Sequence, residues 1–122
     1  MKKILIFGSK GGLGMKLCQL LSHQDITNIN KSKINFLNKN SKIKINKLLK
    51  NLNPEIIINC AGVLGTNRQD YKKVFDVNFG SNWDIIRYYL SQNNKNLKKL
   101  VLIGSSGFKM PKPDYMLYSA SK

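Results

Sequence analysis

The sequence predicts an α/β protein built on a doubly wound parallel sheet. Three features carry that prediction: short, continuously apolar runs without the alternation of half-exposed strands, amphipathic helical stretches between them, and glycines at the first strand-to-helix junction. Right-handed crossovers in such a sheet place ligands in the crevice at the C-terminal strand ends, where the winding reverses.

Lys3–Phe7 reads as the first buried strand, and Leu13, Leu17, Leu20 and Leu21 keep helical spacing to about Ser22. Asp25–Asn30 and Ile34–Leu37 read as two short strands. Ser41 to Leu52 reads as a basic helix with Ile45, Leu48, Leu49 and Leu52 on one face, and Pro54 ends it. Glu55–Cys60 is a further buried strand. From Asp70 to Ser91 runs the longest helical pattern, with Tyr71, Val74, Phe75, Asn78, Asn82, Ile85 and Tyr89 recurring on one face. Phe79, Trp83, Ile86 and Leu90 flank that face, so the helix should pack on the sheet and on a second surface, with Trp83 a packing residue. Leu100–Ile103 is the last strand, which makes about five.

Composition narrows the class. With 122 residues, 42% hydrophobic and 22% charged, residues 1–122 are expected to form one soluble globular domain. Such a domain buries roughly two thirds of its unfolded surface, a modest core for a two-substrate enzyme. The 21 basic against 6 acidic residues give a net charge of +15, a field that attracts nucleic acid, anionic membranes or phosphorylated ligands. Only two of the basic residues are Arg, and no aromatic residues alternate with the lysines as a stacking platform would need. Non-specific attraction to polyanions is therefore expected, and no specific nucleic-acid partner. The apolar runs fall short of the ~20 residues of a membrane span, and Met1-Lys2-Lys3 leads too soon to Gly8 for a secretory signal. A cytoplasmic protein without a membrane partner is expected. Cys18 and Cys60 lack CxxC or zinc-ligand spacing and read as buried free thiols, with no metal site; His23, the only histidine, reads as solvated.

Four groups of residues carry chemistry. Gly8-Ser9-Lys10-Gly11-Gly12-Leu13-Gly14 joins the first strand to the first helix, where glycine permits a tight turn and close approach of backbone N–H groups to a pyrophosphate. Asn59-Cys60-Ala61-Gly62 closes a strand with small residues against which a ring or ribose can lie. Asn78 brings a buried amide to the core-facing stripe of the long helix. Ser105 and Ser106 follow the last strand, and Tyr118 and Lys122 stand four residues apart, one above the other if that segment is helical. A phenol beside an ammonium is suited to general acid–base work on a carbonyl or alcohol, with a serine hydroxyl polarising the same oxygen. Taken singly, each group has a plainer reading: a glycine-rich turn, a satisfied helix kink, a chance Tyr–Lys spacing.

In this order and in these places the groups resemble the short-chain dehydrogenase/reductase family, with its GxxxGxG loop, NAG-type strand end, helix asparagine and Ser…YxxxK set. They fall on Gly8, Gly12 and Gly14; Asn59, Ala61 and Gly62; Asn78; and Ser105, Tyr118 and Lys122, across the whole chain. The resemblance implies a Rossmann-like fold, NADP or NAD as cofactor, and an oxidoreductase acting on a small-molecule carbonyl or alcohol. It implies that Tyr118 transfers the proton and Ser105 holds the substrate oxygen, Ser105 being preferred to Ser106 because it stands 13 residues before the tyrosine. Lys122 would bind the nicotinamide ribose and lower the tyrosine pKa, and Asn78 would anchor a relay water. The implied cofactor contacts are Gly8, Ser9, Lys10, Gly11, Gly12, Leu13, Gly14, Lys31, Asn35, Phe36, Asn59, Ala61, Gly62, Tyr118 and Lys122.

The departures from the family pattern are informative. Asn30-Lys31-Ser32-Lys33 offers no carboxylate for a ribose 2′-hydroxyl, while its two lysines suit a 2′-phosphate, which leans toward NADP. Gly11 stands where NADP-preferring members often carry a basic residue, although Lys10 is adjacent. Asn35 and Phe36 stand where many members place an Asp beside the adenine. The short stretch between the second and third strands and Pro54–Asn59 are similar to nucleotide-sugar reductases and epimerases of the extended branch. A non-catalytic dinucleotide-binding subunit is a further alternative. Family members run well beyond this length, so the sheet is expected to be incomplete on its C-terminal side, with an exposed edge beside Leu100–Ile103. A homo-oligomer or a complementing C-terminal half would be the partner. On that view Tyr118–Lys122 is an isolated terminal turn that should not hold its geometry, and Met110, Pro111, Tyr115 and Met116 stand at the substrate entrance.

Overall fold

Ile4, Leu5, Ile6 and Phe7 are all buried, so Lys3–Phe7 forms a central strand, β1. The computed structural model describes residues 1–91, 96–110 and 112–122. The chain continues through α1 (Gly12–Leu20), β2 (Asp25–Ile29), α2 (Ser41–Leu52) and β3 (Ile56–Asn59). Then follow α3 (Tyr71–Phe75), a π turn (Asp76–Gly80), α4 (Ser81–Ser91), β4 (Lys99–Leu102) and α5 (Met116–Ser121), with two 3₁₀ turns before α5. The strands are parallel in the order β2-β1-β3-β4. The chain turns first to one side of β1 and then to the other, which puts the switch point between β1 and β3.

Successive residues of β1 point to opposite faces, and each face has its own core. On one, Leu5, Phe7 and Ile57 meet Ile45 and Leu49 of α2 and Ile85 and Tyr88 of α4, all buried. On the other, Ile4, Ile6 and Ile58 meet Leu17, Cys18 and Leu21, only half-buried. Helices on both faces make the α/β class and the doubly wound arrangement, as expected.

Four strands are present among the described residues, not five. Ile34–Leu37 is a turn: the Asn35 carboxamide oxygen accepts from the Leu37 N–H (3.1 Å), and Lys33 and Ile34 N–H both donate to the Asn30 carbonyl (3.0 Å). An Asx turn satisfies the backbone locally, while Ile34 and Phe36 still deliver apolar surface to the core. Phe36 packs its ring 5.8 Å from that of Phe7.

In α1 the inward stripe is Gly14, Leu17, Cys18 and Leu21, whereas Leu13 and Leu20 are exposed. Both cysteines are free and half-buried rather than buried. α2 matches its expected bounds, ending where Asn53 adopts a left-handed conformation (φ 45°) before buried Pro54. In the long helical stretch the buried residues are Val74, Asn78, Ser81, Ile85 and Tyr88, three or four apart, leaving Tyr71 and Tyr89 exposed. Phe79, Trp83 and Leu90 are also exposed, with Arg87 set 5.9 Å from the Trp83 ring centroid. No helix among the described residues is long and apolar enough to cross a membrane.

Candidate active site

The glycine loop is shaped by close packing. Gly8 has φ +71°, and a Cβ there would stand 2.6 Å from the Ala61 nitrogen, so only glycine lets the end of β1 touch the end of β3. A Cβ on Gly14 would collide with the Gly8 carbonyl oxygen, which is how α1 starts directly over the loop. At Gly12 the same atom would meet nothing within 4 Å, so the N-terminus of α1 opens on free space. Its first N–H groups have no intrahelical acceptor and no acid occupies its first turn, the electrostatics of an anion cradle. Ser9 is buried and donates its N–H to the Ile29 carbonyl (3.2 Å), tying loop to β2; Lys10 and Leu13 are exposed.

Beside the loop a cleft of about 180 Å³ lies over the β1–β3 switch point. Gly8, Gly11, Cys60, Ala61, Gly62 and Val63 form one part of it. Lys31, Asn35, Phe36 and Leu37 form the far end, and Lys73 and Val77 reach in from α3 and the π turn. Lys33 does not face this cleft. Its ammonium donates to the Asn28 carbonyl (3.1 Å), so the expected pair of lysines at a 2′-phosphate reduces to Lys31.

Asn59 is buried and turned away from the cleft. Its amide donates to Ser81 Oγ (2.9 Å) and Asn82 Oδ1 (2.6 Å), while its oxygen accepts from the Ala61 N–H (3.1 Å), clamping β3 to α4. Asn78, at the centre of the π turn, is equally enclosed. Its oxygen accepts from the Val63 N–H (2.7 Å), and its amide donates to the Val63 carbonyl (2.9 Å) and Ser121 Oγ (2.8 Å). Ser121 in turn donates to the Tyr118 carbonyl (2.8 Å), and the Leu117 N–H donates to Asn67 Oδ1 (3.0 Å). The bonds from Asn78 and to Asn67 are tertiary, and they hold α5 as a helix where an isolated turn would fray.

Ser105 and Tyr118 line a second cleft of about 350 Å³, with Ser106, Gly107, Ser119 and Leu64. Met110 and Tyr115 also line it, Met116 is exposed, and Pro111 lies outside the described residues. Ser105 caps the turn that follows by accepting from the Gly107 N–H (3.1 Å). A Cβ on Gly107 would press to 2.9 Å from Ser119 Oγ and 3.2 Å from Ser105 Oγ, so its hydrogen side chain lets both hydroxyls stand together. Val63 walls the first cleft and Leu64 the second, so one loop separates the two. At the join the Lys122 ammonium lies 3.7 Å from where a Gly62 Cβ would be. Burial lowers the Lys122 pKa, with the nearby Cys60 opposing the shift; burial and Cys18 raise the Cys60 thiol, with Lys122 opposing.

The sequence profile of the RmlD substrate binding domain family matches residues 1–78. The chain belongs to that family. The matched stretch holds the glycine loop, the end of β3 and Asn78, and it ends before the Ser105–Tyr118 cleft. This RmlD-family chain superposes on a short chain dehydrogenase family protein from Francisella tularensis subsp. tularensis SCHU S4 with a TM-score of 0.81 and 25% identity, covering 100% of this chain and 58% of that one. With the dTDP-4-dehydrorhamnose reductase from Bacillus anthracis str. Ames, a complex with NADP, the TM-score is 0.77 at 21% identity, covering 99% and 46%. With a short chain dehydrogenase/reductase from Saccharomyces cerevisiae it is 0.76 at 22% identity, covering 100% and 60%. The RmlD-family chain thus spans 46% to 60% of these proteins' length and has the Rossmann fold of short-chain dehydrogenases/reductases. Among curated protein sequences none matches it.

Sequence reasoning did not single out Val63, Lys73, Val77, Gly107, Ser119 or Ser121. Ser121 was open to notice, since it stands three residues after Tyr118 and puts a small hydroxyl on the same face of that helix. Val63 lies in the loop after β3, Lys73 and Val77 in α3 and the π turn, and Gly107 and Ser119 in the turn after β4 and in α5, where no periodicity marks what they face.

Proposed function

We propose that this chain carries the dinucleotide-binding cleft and the acid–base residues of an NAD(P)-dependent oxidoreductase of short-chain dehydrogenase/reductase type. The observation that carries the reading is the pairing of two clefts across one loop: the glycine-loop cleft on one side, Ser105 and Tyr118 on the other, and Lys122 at the join. The residues present fit a dinucleotide, because Gly8 and Gly14 seat the loop and Gly12 leaves the helix N-terminus open to a pyrophosphate. Gly11, Ala61 and Gly62 would hold its middle, and Lys31, Asn35 and Phe36 its adenosine end. When bound, the nicotinamide gives or takes hydride at a carbonyl or carbinol carbon.

The chain's own part is proton transfer and positioning. The Tyr118 hydroxyl gives a proton to a carbonyl oxygen, or takes one from an alcohol, and Ser105 Oγ donates a hydrogen bond to the same oxygen. Lys122 places positive charge at the join, where it favours a negative oxygen on either side. Asn78 works as a positioning residue: through Ser121 it fixes α5 against the loop that separates the clefts. Lys31, with no acidic side chain lining that cleft, favours NADP over NAD.

The family match and the likeness to a dTDP-4-dehydrorhamnose reductase favour a particular substrate class, a carbonyl sugar joined to a nucleoside diphosphate. Replacing Tyr118 with Phe tests the assignment. NAD(P)H oxidation with such a sugar should fall about 10²- to 10⁴-fold while dinucleotide affinity holds, the range for loss of a positioned acid. Undiminished turnover would remove Tyr118 from the chemistry. Dinucleotide binding without any turnover in the parent protein would instead favour a non-catalytic binding subunit.

A further inference from the structure

Residues 26–54 contain seven lysines and no acidic residue, so much of the net charge of +15 is concentrated in one stretch. The fold gathers three of these lysines around one place. Lys44 and Lys47 stand one turn apart on the exposed side of α2, and Lys33 projects from the turn after β2, its ammonium held by the Asn28 carbonyl (3.1 Å). Together with Asn51 they rim a hollow of about 270 Å³ whose floor is apolar, made by Ile29, Ile34 and Leu48. No acid lines it. Elsewhere, Glu55, Asp76 and Asp84 are each paired with a basic side chain of their own, Lys98, Lys72 and Arg87.

We propose that Lys33, Lys44 and Lys47 form a second anion site, distinct from the dinucleotide cleft, that takes a multiply charged phosphate group. Three lysines lining one hollow carry like charges that repel one another, and an anion with several charges turns that repulsion into attraction. Lysine is a compact point charge that meets phosphate oxygens without a fixed geometry, and among the described residues no Arg lines the hollow to impose planar, bidentate recognition. The apolar floor gives a sugar or base edge no hydrogen-bond partners, so the site reads charge rather than identity. It backs onto the dinucleotide cleft through Ile29 and Ile34, which wall both, while Lys31 belongs to the cleft alone.

The test is calorimetric titration of the full chain with inorganic tripolyphosphate in 150 mM salt, where diffuse attraction is largely screened within about 8 Å. Substituting Lys44→Gln and Lys47→Gln together should weaken binding by about tenfold or more, equivalent to ~1.4 kcal/mol. Substituting Lys39→Gln and Lys50→Gln removes the same charge from the same stretch outside the hollow and should change affinity less than threefold. All four lysines are exposed, so neither pair disturbs the core. Equal losses from the two pairs, or no binding in that salt, would overturn the site. So would one-for-one displacement of tripolyphosphate by NADPH, which would place it in the cleft. A single-stranded oligothymidylate distinguishes the sources: tighter, Lys44- and Lys47-dependent binding of the oligonucleotide identifies a nucleic-acid backbone, and weaker binding identifies a free oligophosphate.

Discussion

The two faces of the sheet are built differently. Under α2 and α4, ten buried side chains from Leu5 to Leu97 form one continuous cluster, whereas under α1 only Ile4, Ile6 and Ile58 are fully buried. The difference follows from what α1 must do. To bring its N-terminus over the ends of β1 and β3 it approaches through Gly14 and Gly8, and glycine gives closeness without apolar bulk. One face is packed for stability, the other for proximity.

Truncations should separate the faces most strongly. Leu49→Ala, at 0% exposure, should cost about 2–5 kcal/mol in urea denaturation, and Leu17→Ala, half-buried under α1, under about 2 kcal/mol. Equal costs would dissolve the distinction. The glycines sharpen it. Gly14→Ala should lose about 1–3 kcal/mol through overpacking and abolish dinucleotide binding, because the helix must back away from Gly8. Gly12→Ala should leave stability unchanged or raise it by about 0.5–1 kcal/mol, since its Cβ meets no protein atom and alanine favours a helix. It should nevertheless weaken dinucleotide binding, which calorimetry would register separately from melting.

The fold class, the order of elements and the glycine loop were legible because each rests on a local rule. An apolar run such as Ile4–Phe7 admits few readings, and Gly8, Gly12 and Gly14 stand at the junction that needs them. What escaped notice depends on side chains bonding backbone nearby. Asn35 turns an apparent strand into an Asx turn, and the Asn28 carbonyl draws Lys33 away from the cleft. Asn59 reads as part of a strand end beside a ligand and Asn78 as a buried amide on the core-facing stripe, and the structure uses both amides to join β3, α4 and α5.

Cysteine labelling offers a milder probe of the face beneath α1. Cys60 lines the cleft and its thiol is pushed up by burial, so alkylation should be slow at neutral pH and slow further, by several-fold, when dinucleotide is added. Cys18, whose thiol donates to Asn28 Oδ1 (3.0 Å) outside that cleft, should respond less. Mass spectrometry of labelled peptides reads both sites in one sample.

The smallest effect concerns the sheet itself. Glu55 accepts from Lys98 (3.2 Å) and from the Lys3 N–H (3.3 Å), and the Lys98 hydrogen bond leads the causes that hold its carboxyl below the ordinary value of 4.5. A depressed carboxyl means that the unfolded chain binds the proton more readily, so this contribution is full above 4.5 and fades as pH falls through the lower, folded value. Glu55→Gln should flatten the acid side of the stability profile slightly and leave its neutral and alkaline sides unchanged. An unaltered acid limb would show that the bond holds little.

The position of β1 also governs how the chain reaches its fold. Residue 3 pairs with residue 25 and residue 4 with residue 56, so β1 keeps one edge open until the third strand is made. During synthesis its buried side chains must wait, exposed, until the end of β3 has emerged, and pairings so distant in sequence slow the search for the native state. The seven lysines between residues 26 and 54 are made in that interval, and their mutual repulsion discourages neighbouring nascent chains from pairing edge to edge while the central strand is still open.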